Sequence, residues 1–169
     1  MPYSASSRET SSQIADNIIF KRTSQDGIYG DALFALYKLS LYKHIEQTFG
    51  WNDDFQRHRF DTTYRGDEFT VITEGPVMVG YFSTKNEHDA VHVSLLLIQP
   101  EFQRKGIGRK AMQTLMARAS AANRSVTLSC FICNQPAMDF YERLGFQVVT
   151  KEEDFVNYRW QDSANGISF

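Results

Sequence analysis

The alternation of apolar and polar residues predicts strands and helices from residue 17 onward. Residues 17–23 (NIIFKRT) read as a short strand, and residues 69–73 and 77–83 as two more. The last two flank Glu74-Gly75-Pro76, a short connection containing glycine that indicates a hairpin. Between them and the first strand, residues 31–45 predict a helix, because apolar side chains recur there at helical spacing. These side chains are Leu33, Leu36, Tyr37, Leu41 and Ile45.

A second helix is predicted to begin at Asn52. An asparagine can cap a helix, and Asp53 and Asp54 are favourably placed in the first turn, where negative charge complements the helix dipole. Phe55 and Phe60 follow as its apolar residues.

Residues 91–98 form a nearly continuous apolar run, as expected for a central strand that is covered on both faces. A helix over 106–122 and a strand over 126–132 follow. Asn134 then opens a last helix that Gly145 can stop, and residues 146–149 and 155–160 can form a closing hairpin. The predicted order is β-α-α-β-β-β-α-β-α-β-β.

The composition fits one domain and excludes some classes of partner. The chain has 169 residues, of which 42% are hydrophobic, enough for a substantial core. We expect a flexible polar tail over residues 1–16 and a single domain over 17–169. A net charge of −2 and a pI near 6.1 argue against nucleic acid as a partner. Without an apolar run of ~20 residues or a signal peptide, we expect a cytoplasmic protein with no membrane partner.

The loop that follows the central strand, Gln103-Arg104-Lys105-Gly106-Ile107-Gly108, carries the clearest chemistry. Glycines let backbone N–H groups approach a ligand, and the first amides of the next helix lack intrahelical partners. Arg109 and Lys110 add further cations beside the loop. Neither a Walker loop nor a dinucleotide fingerprint is present. The loop therefore predicts a site for the diphosphate of a nucleotide or coenzyme.

The Gln-x-x-Gly-x-Gly pattern resembles the acetyl-CoA loop of the GNAT N-acetyltransferase superfamily. Residues 134–146 (NQPAMDFYERLGF) resemble that family's second motif, in the right order and at a spacing that leaves room for one helix and one strand. The resemblance implies an α/β (α+β) fold with a mixed, mostly antiparallel sheet of about seven strands and about four helices. It also implies that the fourth and fifth strands are parallel and splayed apart where the pantetheine enters.

The resemblance implies an acetyltransferase (acyltransferase) that uses acetyl-CoA as co-substrate and needs no metal. It points to the strand backbone at Leu97, Ile98 and Gln99 for the pantetheine and the thioester oxygen. It also assigns coenzyme contacts to the loop and to Asn134, which could equally be a helix cap. The implied loop contacts are Gln103, Arg104, Lys105, Gly106, Ile107, Gly108 and Arg109.

Two residues are candidates for proton transfer. Tyr141 matches the family tyrosine that contacts the coenzyme A sulfur and serves as general acid; the alternative is a core aromatic. For the base, many family members place a glutamate or histidine eleven residues before the loop motif, and this position is His92. A histidine can accept a proton near neutral pH, directly or through water, and Ser94 could carry such a relay.

The sequence indicates least about the residues that bind the acceptor amine. Glu46, Trp51 and Asp54 are candidate acceptor-binding residues in the first two helices and their connection, with a solvated surface as the alternative. We expect N-acetylation of a small primary amine, with a protein α-amine or lysine as a second acceptor class and a non-catalytic acyl-CoA sensor as a third possibility. A homodimer is possible.

The two cysteines, Cys130 and Cys133, form a Cys-x-x-Cys pattern on a predicted strand. Residues three apart on a strand point to opposite faces, and no second pair completes a zinc site. We expect two reduced thiols and no metal.

Overall fold

A computed structural model describes residues 17–165 and contains the predicted elements in the predicted order. The four helices are α1 (Gly30–Phe49), α2 (Asp53–Thr63), α3 (Ile107–Ala121) and α4 (Gln135–Arg143). The strands are β1 (Ile18–Thr23), β2 (Glu68–Glu74), β3 (Val77–Asn86), β4 (Ala90–Ile98), β5 (Ser125–Phe131), β6 (Gln147–Lys151) and β7 (Phe155–Trp160). Two short 3₁₀ helices span Pro100–Phe102 and Ser163–Asn165. The predicted tail, residues 1–16, lies outside the described residues.

The seven strands form one sheet in the order β1-β2-β3-β4-β5-β7-β6. Every neighbouring pair is antiparallel except β4 and β5, which run parallel. Their ladder joins Ala90–Val93 to Ser125–Leu128 and then stops, while residues 129–131 of β5 go on pairing with β7. The predicted mixed sheet with a splayed parallel pair is therefore confirmed.

A β-bulge interrupts the pairing of β4 with β3. Leu95 faces Ser83 and Val93 faces Thr84, so Ser94 is the extra residue. The bulge shifts the alternation of side chains along the strand. Val93 and Leu96 consequently pack in one core, whereas Leu95 and Leu97 pack in the other.

The two cores lie on opposite faces of the sheet. Helices α3 and α4 cover one face, with Met112, Leu128 and Tyr141 among the buried side chains. Helices α1 and α2 cover the other, where Leu33 and Phe60 are buried. Because both faces are covered, β4 can be almost continuously apolar, as its sequence indicated.

The helix caps follow from the local sequence. The side chain of Asn52 accepts a hydrogen bond of 2.8 Å from the Phe55 N–H at the start of α2. The side chain of Asn134 accepts one of 3.3 Å from the Ala137 N–H at the start of α4. Gly145 has a φ of +96°, a conformation that suits glycine just after a helix.

Of the two phenylalanines predicted as the apolar residues of α2, only Phe60 lies on its buried side. Gln56 is buried with Phe60, whereas Phe55 is 59% exposed. Gln56 is four residues before Phe60 and so lies on the same helix face, and its amide oxygen accepts a hydrogen bond from the buried Tyr37 hydroxyl. Across residues 17–165, no helix is both long and apolar enough to cross a bilayer.

Candidate active site

The splay between β4 and β5 opens a cleft of about 520 Å³ that reaches both sides of the sheet. Its walls include residues 92–98 of β4 and residues 128–131 of β5. Helix α4 contributes Tyr141 from one side, and α1 and α2 contribute side chains from the other. The cleft thus lies where two neighbouring strands stop sharing hydrogen bonds.

The hydrogen-bond pattern of β4 determines which of its amides face this cleft. The Gln99 N–H donates to the Val79 carbonyl at 2.8 Å. Since the bonding direction alternates along a strand, Leu97 also directs its N–H and C=O to β3, whereas Leu96 and Ile98 direct theirs toward the cleft. A Cβ on Gly80 of β3 would lie 2.4 Å from the Leu97 oxygen, which agrees with this direction.

Among the three backbone positions expected to contact the coenzyme, Ile98 is therefore the one whose N–H faces the cleft. The N–H groups of Leu97 and Gln99 are directed into the sheet. The N–H of Leu96 is the second one on the cleft side. The sequence did not predict it, because the direction of backbone hydrogen bonds along β4 depends on the bulge and not on the type of side chain. The Gln103 side chain donates to the Ile98 carbonyl at 2.9 Å and ties the loop to the strand end.

The loop between β4 and α3 has the backbone that an anion site requires. Arg104 and Gly106 have positive φ values of 61° and 81°. The Lys110 N–H donates to the Gly106 carbonyl at 3.0 Å and makes the first intrahelical bond of α3. The amides of Ile107, Gly108 and Arg109 consequently have no helical acceptor. A Cβ on Gly106 would meet no atom within 4 Å, so the space in front of the loop is open.

The loop therefore fits a diphosphate. Arg104 and Arg109 are exposed beside it, and the Lys105 ammonium lies 5.6 Å from the centroid of the Phe102 ring. Free amides, the positive end of the helix dipole and mobile cations act together on an anion bound there.

Tyr141 lies on α4 between the core and the cleft. Its side chain is buried and packs against Phe140, Phe146 and Tyr158, with ring centroids 5.1, 5.7 and 6.3 Å away. Burial, and to a lesser extent the nearby Cys130, raise the pKa of the Tyr141 phenol. Its hydroxyl makes no hydrogen bond to another residue in the described part of the chain. A neutral phenol with an uncommitted proton is suited to act as an acid.

His92 lies on β4 at the start of the splay and is half-buried in the cleft wall. Its Nδ1 lies 2.9 Å from the Oγ1 of Thr127, its neighbour in the parallel ladder. In the tautomer in which Nδ1–H donates to that hydroxyl, Nε2 is left as a proton acceptor. Ser94, at the bulge, also lines the cleft.

Asn134 caps α4 through its side-chain oxygen and also lines the cleft. Its contact with the coenzyme stays a prediction.

The three expected acceptor residues lie at the end of α1 (Glu46), in the connection (Trp51) and at the start of α2 (Asp54), and they are not among the described residues that line the cleft. The Glu46 carboxylate accepts a hydrogen bond of 2.6 Å from the Trp51 N–H. The Trp51 indole donates to Asp53 at 2.8 Å and packs against Tyr42 at 5.2 Å. Asp54 is exposed in the first turn of α2. Acceptor binding by these three residues stays a prediction.

A cluster of aromatic residues lines the cleft where α1 faces the ends of β5 and β7. Phe131 packs against Phe155 at 4.8 Å, against Phe49 at 6.4 Å and against His44 at 6.0 Å. Burial, followed by the charge of Lys43, lowers the pKa of His44 and so favours its neutral imidazole. Phe131 follows from the apolar pattern of β5, but its contact with α1 depends on tertiary packing.

The two thiols differ in their surroundings. Cys130 is buried, and burial, with a smaller effect from Glu142, raises the pKa of its thiol to about 11. Cys133 is exposed, with its sulfur 3.5 Å from Nδ1 of His44. Nowhere in residues 17–165 do three or more His, Cys, Asp or Glu side chains gather as ligands for a metal ion.

Comparison with known proteins agrees with this geometry. The family described as Acetyltransferase (GNAT) matches residues 32–146. A relative from Arabidopsis thaliana, the N-terminal acetyltransferase B complex catalytic subunit NAA20, is 26% identical over 133 residues, which cover 69% of this chain and 72% of the relative.

Solved structures share the fold at low sequence identity. PaiA N-acetyltransferase from Thermoplasma acidophilum, in complex with coenzyme A, has a TM-score of 0.69 and 12% identity over 86% of this chain and 99% of its own. A GNAT family acetyltransferase from Elizabethkingia anophelis with acetyl-CoA bound has a TM-score of 0.65 and 11% identity over 87% of this chain and 99% of its own.

Proposed function

Because this chain belongs to the GNAT acetyltransferase family and uses acetyl-CoA, we propose that it acetylates a primary amine by direct attack of the amine on the thioester. One observation carries the proposal: the splay of β4 and β5 brings His92 and Tyr141 to the same cleft from two elements. A base for the amine and an acid for the thiol are thus available in one space.

The coenzyme supplies the acetyl group in activated form, as a thioester. The amides at the start of α3, together with Arg104 and Arg109, hold the diphosphate. The N–H groups of Leu96 and Ile98 bind the pantetheine arm and the carbonyl oxygen, which gains negative charge as the amine attacks. Fixed N–H donors at such an oxygen lower the barrier without reorganisation.

Proton transfers complete the reaction. An alkyl amine has a pKa near ~10.4 and is mostly protonated at neutral pH, so it must lose a proton before it can attack. His92 accepts this first proton through Nε2, directly or through water, and passes it to solvent. As the tetrahedral intermediate collapses and the C–S bond breaks, Tyr141 donates its phenolic proton to the departing sulfur; the nitrogen loses its second proton in the same step, and that proton restores the phenol. Burial raises the pKa of Tyr141 and so keeps its phenol protonated before this step.

Two acceptor classes fit this chemistry. A small-molecule amine suits a cleft of about 520 Å³. The α-amine of a polypeptide is the second candidate, and the similarity to a catalytic subunit of an N-terminal acetyltransferase complex favours it. The side-chain amine of a protein lysine is the remaining alternative acceptor.

The test is thiol release from acetyl-CoA by the full chain with three groups of acceptors. These are small amines, peptides with a free N-terminus, and the same peptides blocked at the N-terminus but carrying a lysine. We expect turnover with at least one of the first two groups. Tight coenzyme binding without thiol release from any acceptor would reject catalysis and favour an acyl-CoA sensor.

A further inference from the structure

The charged residues around the cleft restrict the charge of the acceptor that can bind there. Of the described residues that line it, Arg59 is the only arginine or lysine, and none is an aspartate or glutamate. A polycationic amine would enter without a carboxylate to pair with its second charge, a costly arrangement in a partly desolvated site. An acceptor with a negative charge would meet a guanidinium instead.

Arg59 is not engaged by the protein's own acids. Two nearby cations in α1 and α2 are paired: Lys38 with Asp53 at 2.6 Å, and Arg57 with Asp61 at 3.3 Å. Arg59, in contrast, forms no ion pair within 4 Å with a carboxylate in residues 17–165. Its guanidinium is therefore available to a ligand.

The surroundings of Arg59 are polar. Tyr37, Gln56 and Tyr64 line the same cleft as Arg59. The Tyr37 hydroxyl donates to the buried side-chain oxygen of Gln56 at 3.2 Å. Burial raises the pKa of both Tyr37 and Tyr64, and the charge of Arg59 opposes this effect in each case. The guanidinium thus belongs to a polar part of the cleft wall.

The position of Arg59 along the sheet separates it from the coenzyme loop. Its neighbour Phe60 packs against Phe69 of β2, with ring centroids 6.1 Å apart. Phe69 pairs with Ser83, which pairs with Leu95 of β4. Leu95 is three residues, or about 10 Å, before the strand end at Ile98 from which the loop departs. The turn of α2 that carries Arg59 therefore packs on the sheet at the level of Leu95, in the part of the cleft away from the end of β4 where the loop departs.

We propose that Arg59 binds an anionic group of the acceptor, so that the preferred substrate is an amine with a carboxylate close to it. An amino acid and a peptide whose second residue is acidic both meet this requirement. This inference rests on the proposed function and adds the charge of the acceptor to it. A guanidinium can bind a carboxylate through two parallel hydrogen bonds and so orient as well as attract it.

The experiment compares acceptors that differ only in that charge, by thiol release with the full chain. The peptide arm uses C-terminally amidated peptides with Asp, Asn or Arg as the second residue, because arginine carries a positive charge without a second primary amine. The small-molecule arm uses an amino acid and its amide. In at least one arm, we expect kcat/KM to be about tenfold higher for the anionic acceptor than for its neutral counterpart, the size of a charged hydrogen bond.

Variants at Arg59 separate binding from folding. Arg59→Glu should abolish or invert the preference and raise kcat/KM for the Arg peptide relative to the Asp peptide, and it should lower kcat/KM more for the anionic acceptor than for the neutral one. Arg59→Lys should retain part of the preference, since it keeps the charge but loses the planar fork. Arg65→Glu is the matched control: it reverses an exposed charge that does not line this cleft and should leave the preference unchanged.

Two results would overturn the inference while leaving the proposed function intact. One is turnover with equal kcat/KM for anionic and neutral acceptors in both arms. The other is a loss in Arg59→Glu of the same size for all acceptors, which would indicate a structural role. Thiol release from none of the acceptors would reject the proposed function itself, and the inference with it.

Discussion

Replacing Tyr141 by phenylalanine tests the proposed acid with little disturbance of the fold. The substitution removes one oxygen and keeps the ring that packs against Phe140, Phe146 and Tyr158. Because the hydroxyl has no hydrogen-bond partner among the described residues, its loss leaves no buried group unsatisfied. We expect the free energy of unfolding to change by less than about 0.5 kcal/mol.

The expected effect on catalysis is large. General acid catalysis contributes a factor of about 10² to 10⁴, so kcat should fall at least about 100-fold, or roughly 2.7 kcal/mol in activation free energy. The affinity for coenzyme A should change little, because the diphosphate loop and the amides of Leu96 and Ile98 are untouched.

The pH dependence gives a second readout. Burial raises the pKa of Tyr141, so the group stays protonated as pH rises through the usual tyrosine range. An acid that must be protonated therefore imposes no decline of kcat below pH ~10. The wild type should show no alkaline decline attributable to this residue.

Tyr158→Phe is the matched control. The Tyr158 hydroxyl donates to the Glu142 carboxylate at 3.0 Å and does not line the cleft. Its removal should cost about 1.5 kcal/mol of stability, as a hydrogen bond to a charged acceptor does, and leave kcat nearly unchanged. In urea unfolding, Tyr158→Phe should therefore lose stability and Tyr141→Phe should not. In steady-state kinetics, Tyr141→Phe should lose kcat and Tyr158→Phe should not. A Tyr141→Phe enzyme that keeps its kcat would refute the acid role.

Three further predictions concern other parts of the site. His92→Ala should raise the pH needed for activity, because the amine must then lose its proton to solvent; an unaltered pH–rate profile would remove His92 from the mechanism. Gly106→Ala should raise KM for acetyl-CoA, because a φ of 81° costs an L-residue about 1–2 kcal/mol and the loop must change its backbone to avoid that cost. Gly108→Ala should leave the stability of the free protein unchanged, because its new Cβ would make only ordinary contacts, the nearest at 3.6 Å. In alkylation at pH 8 followed by mass spectrometry, Cys133 should react and Cys130 should not. Cys130 is buried, and a thiol pKa of about 11 leaves roughly one thiolate in a thousand at that pH. Equal labelling of the two cysteines in the folded protein would contradict this prediction.

The order of elements could be predicted because local physical signals were consistent. Asn52 and Asn134 are caps in sequence and in structure, and the apolar run of residues 91–98 is the central strand. The loop of residues 103–108 could also be recognised as a candidate anion site, because glycines, cations and a helix start coincide within a few residues. Each of these signals is contained in a short segment.

Features that depend on tertiary packing could not be predicted in this way. The bulge at Ser94 is hidden, since a strand covered on both faces has no alternation for a bulge to interrupt. The rotation of α2 depends on the hydrogen bond between Tyr37 and Gln56, two residues 19 apart in sequence. Glu46 and Trp51 had suitable chemistry for an acceptor site, but they pair with each other in a connection whose path the sequence does not show.

Arg59 was overlooked for a related reason. One feature of the sequence could have pointed to it: it is three residues after Gln56 and next to Phe60, and so borders the helix face that packs on the sheet. Whether a cation in that position is paired depends on which acids neighbouring helices bring near it, and this requires the fold.

The short parallel ladder makes the sheet a pair of halves joined by a narrow seam. Four residue pairs connect β1–β4 to β5–β7, and beyond Val93 the backbone of β4 pairs with β3 on one side but with no strand on the side of β5. In the binding mode proposed above, the coenzyme arm lies along that edge and forms hydrogen bonds that a further strand would otherwise form, so that it would complete the sheet as well as react. Coenzyme binding then also stabilises the folded domain. At 100 times its dissociation constant, a ligand adds about 2.7 kcal/mol to the free energy of unfolding. Amide hydrogen exchange should therefore slow on both sides of the seam, including in β5 residues that the ligand never touches.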